Sequence, residues 1–106
     1  MAVAQKYEVG SGNEFPEGVI VGKNIGGQDV IFIRRLGKVQ CYFDQCTHQP
    51  VKLSRCGEAA AGKLVCQVHG GTFDLDRSGA VLVDPPMDAL KSFVCEEAAG
   101  QVAVYL

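Results

Sequence analysis

The chain places a cysteine and a histidine close together twice, in Cys46-Thr47-His48 and in Cys66-Gln67-Val68-His69. These segments hold both histidines of the 106-residue chain and two of its five cysteines. Thiolates and imidazoles are the ligands that zinc and iron sites use most. Because each histidine lies within three residues of a cysteine, the spacing predicts two short loops that converge on one metal centre.

Other interpretations fit these four residues less well. Buried thiols with incidental histidines explain one such pair more easily than two, and the cysteine–histidine dyad of a thiol hydrolase would leave one pair unused. Zinc modules usually pair cysteine with cysteine and histidine with histidine, whereas here each loop supplies one of each. A two-iron, two-sulfide cluster has two terminal positions on each iron. The mixed loops therefore favour the cluster, with a zinc-stabilised structural or interaction module as the alternative.

Composition excludes several classes of partner. Apolar residues make up 47% of the chain, charged residues 21%, and the net charge is −2, which is typical of a soluble globular domain and unfavourable for nucleic-acid or membrane binding. No run approaches the roughly 20 apolar residues of a membrane-spanning helix. The first eight residues lack the pattern of a secretory signal, and an odd number of cysteines argues against a disulfide framework. We expect a cytoplasmic protein.

Short runs bounded by glycine or polar turns predict an all-β fold. In 38–43 apolar and polar residues alternate, as in a half-buried strand, whereas Val30-Ile31-Phe32-Ile33 predicts a strand covered on both faces. No stretch has a convincing helical period, since 58–61 allows barely one turn before Gly62. The predicted strands are 6–9, 18–23, 28–34, 38–43, 63–66, 72–75, 80–83, 91–95 and 101–105. Their spacing indicates an antiparallel sandwich or small barrel.

The two ligand segments, with the continuation Gly70-Gly71-Thr72-Phe73-Asp74 and the later Asp84-Pro85-Pro86, resemble the Rieske iron–sulfur family. The resemblance implies a single domain over 1–106, with a barrel-like base over about 1–43 and 88–106 and a loop-built cluster-binding subdomain over about 44–87. It also implies a [2Fe-2S] cofactor. By this resemblance Cys46 and Cys66 bind one iron, and His48 and His69 bind the other.

The chain departs from the Rieske proteins of respiratory and photosynthetic complexes. The cysteines of their loop-bridging disulfide are replaced by Val51 and Val68, and Gly71 and Phe73 lack the hydroxyl groups that donate to cluster sulfur. Fewer donors lower the reduction potential. We expect a value toward the low end of the range of about −150 to +300 mV for Rieske centres. The chain thus resembles the soluble ferredoxins that serve oxygenases.

The function implied by this resemblance is electron transfer rather than catalysis. The protein would carry single electrons from a flavin-containing ferredoxin reductase to a terminal oxygenase, docking transiently on each. Terminal oxygenases need a further iron held by two histidines and a carboxylate, and both histidines here belong to the predicted ligand set. A Rieske-like small subunit of another redox complex, such as a nitrite reductase, is the alternative.

Three further groups of residues carry predictions. Gly70 and Gly71 are predicted to let backbone N–H groups approach the cluster sulfides. Two cysteines outside the ligand set lie in strand patterns and are predicted to be small core residues, namely Cys41 and Cys95. Four acidic residues flank the ligand loops and suggest either solvated charge or a docking rim for basic partners, namely Asp44, Asp74, Asp76 and Asp84.

Overall fold

The computed structural model describes residues 5–45, 52–66, 72–77, 79–83 and 90–106. Within these ranges the chain forms ten strands, one α-helical turn and two 3₁₀ turns at Gly12–Glu14 and Leu75–Arg77. The helical turn, α1, is Leu53–Cys56. The strands are β1 (Lys6–Ser11), β2 (Ile20–Ile25), β3 (Gln28–Arg35), β4 (Lys38–Phe43), β5 (Gly57–Ala60), β6 (Lys63–Cys66), β7 (Thr72–Asp74), β8 (Ala80–Val83), β9 (Ser92–Ala98) and β10 (Gln101–Tyr105).

Six strands form an antiparallel sheet in the order β1-β10-β9-β4-β3-β2. The sheet curls until its two edge strands touch. Lys23 of β2 donates from Nζ to the carbonyl oxygen of Val9 in β1 at 3.1 Å. The ring of Tyr7 in β1 also lies against the turn between β2 and β3, where a Cβ on Gly26 would be 2.9 Å from the Tyr7 hydroxyl. The base is therefore a half-barrel.

The remaining four strands form a second antiparallel sheet in the order β5-β6-β7-β8. It packs on the half-barrel through apolar side chains of β6 and β7, where Leu64 and Phe73 are fully buried. Helix α1 precedes β5 and buries Leu53 in the same cluster. The segment between β4 and β9 therefore contains a small sheet as well as the loops.

Strand β3 lies between two apolar cores and is buried on both faces. Ile31 and Ile33 pack with the second sheet, whereas Val30 and Phe32 face the interior of the half-barrel. All four side chains are at most 1% exposed. The prediction of a strand covered on both sides is confirmed, and β3 is the element that joins the two sheets.

The prediction of an all-β fold is confirmed, and each predicted run corresponds to a strand with small shifts at its ends. The sequence missed α1 and β5, and β5 includes residues that suggested helix propensity. Among the described residues, no helix has the length and hydropathy to cross a membrane. The predictions for Cys46, His48, His69, Gly70-Gly71 and Asp84-Pro85-Pro86 lie outside the described residues.

Candidate metal centre

The first predicted ligand segment leaves the half-barrel at the end of β4. Asp44, directly after β4, is only 6% exposed, and its backbone N–H donates to the carbonyl oxygen of Asp29 at 2.9 Å. Its carboxylate accepts two hydrogen bonds from Ser54, one from the backbone N–H at 2.8 Å and one from the hydroxyl at 2.6 Å. Residues on the two sides of the segment 46–51 are thus bound directly to each other.

Asp29 provides a second connection across the same segment. Its carboxylate forms an ion pair with Lys52 at 3.3 Å and accepts a hydrogen bond from the Asn24 side-chain amide at 3.1 Å. These two contacts hold the pKa of Asp29 below its usual value, with the bond from Asn24 as the larger cause. The segment that contains Cys46 and His48 is therefore anchored to β3 on both sides.

The second predicted ligand segment lies between paired strands. Cys66 is the last residue of β6 and pairs with Gly57 of β5, while Val65 pairs with Thr72 of β7. The sulfur-bearing side chain of Cys66 is 1% exposed and belongs to the apolar cluster beside β3. His69 follows three residues later, outside the described residues but inside the hairpin connection from β6 to β7.

Helix α1 and β5 connect Asp44, which precedes the first segment, with Cys66 of the second. Ser54 binds the start of the first segment, and the neighbouring Leu53 is fully buried in the cluster that contains Cys66. The backbone N–H of Gly57 is bonded to the carbonyl oxygen of Leu53, and Gly57 is the register partner of Cys66. A short path of hydrogen bonds and strand pairing therefore links the base of the first segment to the one predicted ligand that the structure describes.

A family comparison decides what this arrangement is. Residues 5–94 match the Rieske [2Fe-2S] domain family, which is most of the chain. The chain belongs to the Rieske family. The resemblance on which the sequence interpretation depended is confirmed, and the cofactor of this Rieske domain is a [2Fe-2S] cluster.

Two relatives link the Rieske domain to oxygenase systems. It is 33% identical over 108 residues to the terminal oxygenase component CarAa of carbazole 1,9a-dioxygenase from a Sphingomonas species, covering 94% of this chain but 29% of that protein. It is 26% identical over 81 residues to the ferredoxin component of naphthalene 1,2-dioxygenase/salicylate 5-hydroxylase systems from a Ralstonia species, covering 76% of each. The chain thus spans less than a third of the oxygenase component and most of the ferredoxin.

Solved structures confirm the fold of the Rieske domain. The ferredoxin of carbazole 1,9a-dioxygenase from Nocardioides aromaticivorans superposes with a TM-score of 0.85 at 22% identity, covering 94% of this chain and 96% of that chain. A chain from a complex of reduced oxygenase and oxidized ferredoxin of carbazole 1,9a-dioxygenase gives a TM-score of 0.83 at 25% identity, covering 94% and 92%. The half-barrel with its second sheet is therefore the Rieske ferredoxin fold.

The environment of Cys66 fits an iron–sulfur ligand. Its side chain shares the apolar cluster with Tyr42 and Phe73, which are at most 1% exposed. Burial raises the pKa of Tyr42 to about 12, and the phenol donates its hydrogen bond to the side-chain oxygen of Gln40. Phe73 carries no hydroxyl, and the Tyr42 hydroxyl donates to Gln40. The Cys66 side chain is therefore enclosed by apolar groups, and it is only 1% exposed.

The other described cysteines are not positioned as ligands. Cys41 is 2% exposed inside the half-barrel, and Cys95 is half-buried against the same core, so the prediction of core residues is confirmed. Both line a cavity of about 590 Å³ between β4 and β9, and Cys66 is not part of that cavity. Within the described ranges, no three metal-binding side chains cluster together.

The predicted acidic rim is only partly at the surface. Asp76 is exposed, but its carboxylate forms an ion pair with Arg35 at 3.1 Å, which lowers its pKa. Asp44 is buried and bonded to Ser54, so both predictions for it, solvated surface charge and a docking rim, are wrong. The sequence missed this role because the two partners are ten residues apart and follow no local pattern.

Proposed function

We propose that this Rieske domain is a one-electron carrier in a multicomponent oxygenase system. The observation that carries the proposal is the match to an oxygenase ferredoxin component over 76% of both chains, together with membership of the Rieske family. A ferredoxin reductase with a flavin would supply the electron, and a terminal oxygenase would receive it. The protein itself would catalyse no substrate conversion.

The proposed ligands are Cys46, His48, Cys66 and His69. A cluster held by two thiolates and two imidazoles supplies reversible one-electron chemistry at a potential above that of all-cysteine clusters. The anionic thiolates would stabilise the ferric state of the iron that they bind. The neutral imidazoles would stabilise it less, so the histidine-bound iron would accept the electron more readily. The buried position of Cys66 supports this polarity, since a thiolate behind an apolar wall leaves the histidine side for exchange with partners.

The strand order supports the proposed division of the molecule. The described strands of the half-barrel lie at 6–43 and 92–105, and those of the second sheet lie at 57–83. We assign the base to about 1–43 and 88–106 and the cluster-binding subdomain to about 44–87. We also place the protein in the cytoplasm, where a reducing environment keeps Cys41 and Cys95 as thiols.

Iron and acid-labile sulfide analysis of the purified protein tests the ligand set. We expect two of each per chain and an electron paramagnetic resonance signal of low average g after dithionite reduction. Cys46→Ser, His48→Ala, Cys66→Ser and His69→Ala should each abolish that signal. Cys41→Ser is the matched control for Cys66→Ser, because it changes an equally buried thiol outside the ligand set. A colourless, zinc-loaded protein would support the zinc module instead.

Reconstituted electron flow tests the partners. The reduced protein is mixed with a terminal oxygenase and a flavin-containing reductase. Oxidation of the reductant and formation of the hydroxylated product are then measured together. We expect turnover only when all three are present. Turnover solely with a nitrite-reducing partner would refute the oxygenase assignment while leaving the cluster ligands intact.

A further inference from the structure

We infer that Asp44 and Ser54 are positioning residues, which fix the base of the first ligand loop relative to Cys66 and so tune and retain the cluster. The inference rests on the proposed ligand set and assigns a role to two residues outside it. Asp44 precedes the first ligand segment and Ser54 follows it. Their two hydrogen bonds, at 2.8 and 2.6 Å, join both sides of that loop.

The contact has the features of a specific, desolvated interaction. Asp44 is 6% exposed, and a buried carboxylate needs donors to offset its lost hydration. Ser54 supplies two, and hydrogen bonds to a charged acceptor are stronger than those between neutral groups. The residue at the start of α1, Lys52, provides no capping hydrogen bond. Asp44 therefore caps this helical turn from the other side of the loop.

Packing leaves the serine little freedom to move. A Cβ on Gly22 of β2 would lie 2.7 Å from the Ser54 Cβ, so the absence of a side chain on Gly22 allows α1 to sit directly on the strand. The Asp44 backbone is also bonded to Asp29 of β3. Both partners of the contact are thus held by the half-barrel rather than by the loop alone.

The same helical turn reaches the second ligand segment. Leu53, next to Ser54, packs in the cluster that contains Cys66, and its carbonyl oxygen accepts the backbone N–H of Gly57, the strand partner of Cys66. A displacement of α1 from Asp44 would therefore change the distance between the two ligand loops. We expect such a change to affect the electronic properties of the cluster and its rate of loss.

The test compares Asp44→Ala, Ser54→Ala and the double variant in the intact, cluster-bearing protein. Iron release to a chelator, the midpoint potential and the electron paramagnetic resonance g values are measured for each. Ser54→Ala removes the hydroxyl bond, whereas Asp44→Ala removes both bonds, so we expect iron release at least about tenfold faster in Ser54→Ala and faster still in Asp44→Ala. The potential and g values should shift as well, and the double variant should add little to Asp44→Ala, because that substitution alone removes the whole contact.

Two controls separate a positioning role from general destabilisation. Asp44→Asn keeps the shape and one acceptor oxygen, and we expect partial rescue of all three readouts; it also replaces Asp44→Ala if that variant does not fold. Asp76→Asn removes an exposed carboxylate on another part of the surface and should leave them unchanged. Wild-type iron release, potential and g values in Asp44→Asn and Ser54→Ala, with only a lower melting temperature, would overturn the inference. A wild-type protein without iron would instead refute the proposed function.

Discussion

At the scale of single residues, the thiol of Cys95 acts as a hydrogen-bond donor within the sheet. Strands β4 and β9 pair at Cys41 with Phe93 and at Tyr42 with Ser92. Beyond this point Cys95 Sγ lies 2.9 Å from the carbonyl oxygen of Val39 and donates to it. The hydrogen bond that Cys41 makes with Cys95, together with burial, raises the pKa of Cys41. The same bond lowers the pKa of Cys95, so the Cys41 thiol donates to the sulfur of Cys95, and Cys95 connects the two strands through Val39.

Replacing Cys95 with alanine tests this role. Cys95→Ala removes the donor to Val39 and the partner of the Cys41 thiol, and it should lower the free energy of unfolding by about 1 kcal/mol in total, because thiol hydrogen bonds are weaker than those of amides. This corresponds to a fall in melting temperature of about 4–8 °C for a domain of this size. Cys95→Ser is the control, because its hydroxyl can still donate, and it should lose less. Equal losses in the two variants would show that packing, not the hydrogen bond, sets the effect.

Residue chemistry predicts a ligand set, but it did not predict the contacts that anchor the first ligand segment. Cysteine and histidine at short spacing indicate a metal centre from sequence alone, and Cys66 does lie at the end of a strand that enters a hairpin connection. Asp44 was misjudged as surface charge because its burial depends on Ser54, ten residues away. The sequence contains both residues but no periodicity that connects them, since their contact exists only after β2, β3 and α1 have packed.

At the scale of elements, three two-residue turns place a side chain in the left-handed region of backbone space. The backbone φ angles are 52° and 81° at Leu36-Gly37, 51° and 78° at Ala61-Gly62, and 53° and 75° at Ala99-Gly100. Turns with two positive φ angles match the twist of antiparallel hairpins and favour Asn-Gly. Leucine and alanine at the first position bear a cost of about 1–2 kcal/mol that asparagine partly avoids. These turns carry avoidable strain.

Ala99→Asn should therefore stabilise the hairpin of β9 and β10. We expect a gain of about 0.5–1 kcal/mol in the free energy of unfolding, which is part of the cost of a Cβ at positive φ. Thermal unfolding of the cluster-bearing protein measures this gain. The matched control is Ala98→Asn, one residue earlier in β9, where φ is not positive and no gain is expected. A gain in both variants would contradict the explanation.

Strand β5 illustrates why part of the fold escaped prediction. Glu58-Ala59-Ala60-Ala61 favours helix by propensity, yet Ala59 pairs with Leu64 and Ala60 with Lys63 in the hairpin of β5 and β6. Long-range packing overrides the weak intrinsic preference of a few alanines. In contrast, β4 and β10 have the predicted ends, because alternating side chains and Xaa-Gly turns are local signals. Local patterns thus predicted these two strands, although both pair with a neighbour on each edge.

At the scale of the whole molecule, one arginine joins separate parts of the half-barrel. Arg34 of β3 donates to both carboxylate oxygens of Glu97 in β9, at 2.8 and 3.0 Å. It also donates to the carbonyl oxygens of Phe15, Gly37 and Gly12, at 2.7, 2.8 and 3.2 Å. A planar guanidinium can satisfy so many acceptors at once, whereas a lysine ammonium has only three donors. Arg34 therefore links strands that are not neighbours in the sheet to the segment after β1.

Contacts of this kind give the molecule a defined response to acid. Hydrogen bonds and cationic partners hold the pKa below its ordinary value in six carboxyl groups, namely Glu14, Glu17, Asp29, Asp76, Glu96 and Glu97. A carboxyl whose pKa is lower in the folded state binds its proton more readily in the unfolded state. Such a carboxyl therefore makes its full contribution to the free energy of unfolding above its unfolded pKa, and this contribution disappears as the pH falls through its folded pKa.

Glu97 allows this dependence to be measured at one site. The side-chain hydrogen bond from Arg34 is the main cause of its lowered pKa. We expect the wild type to melt at a higher temperature than Glu97→Gln at pH 7. The difference should stay constant down to about pH 5 and shrink below the unfolded glutamate pKa of about 4.3. Comparing both proteins at the same pH cancels the acid sensitivity that they share.

A substitution with the same change of charge provides the control. Glu8→Gln alters an exposed carboxylate on β1, outside the contacts of Arg34. At pH 7 its melting temperature should differ from that of the wild type by less than the melting temperature of Glu97→Gln does. A Glu97→Gln difference that persists unchanged at pH 3.5, or grows there, would contradict a role for the ionised carboxylate. Because Arg34 lies on β3 and Glu97 on β9, on either side of β4, the acid response at this pair reports on the packing of these three strands.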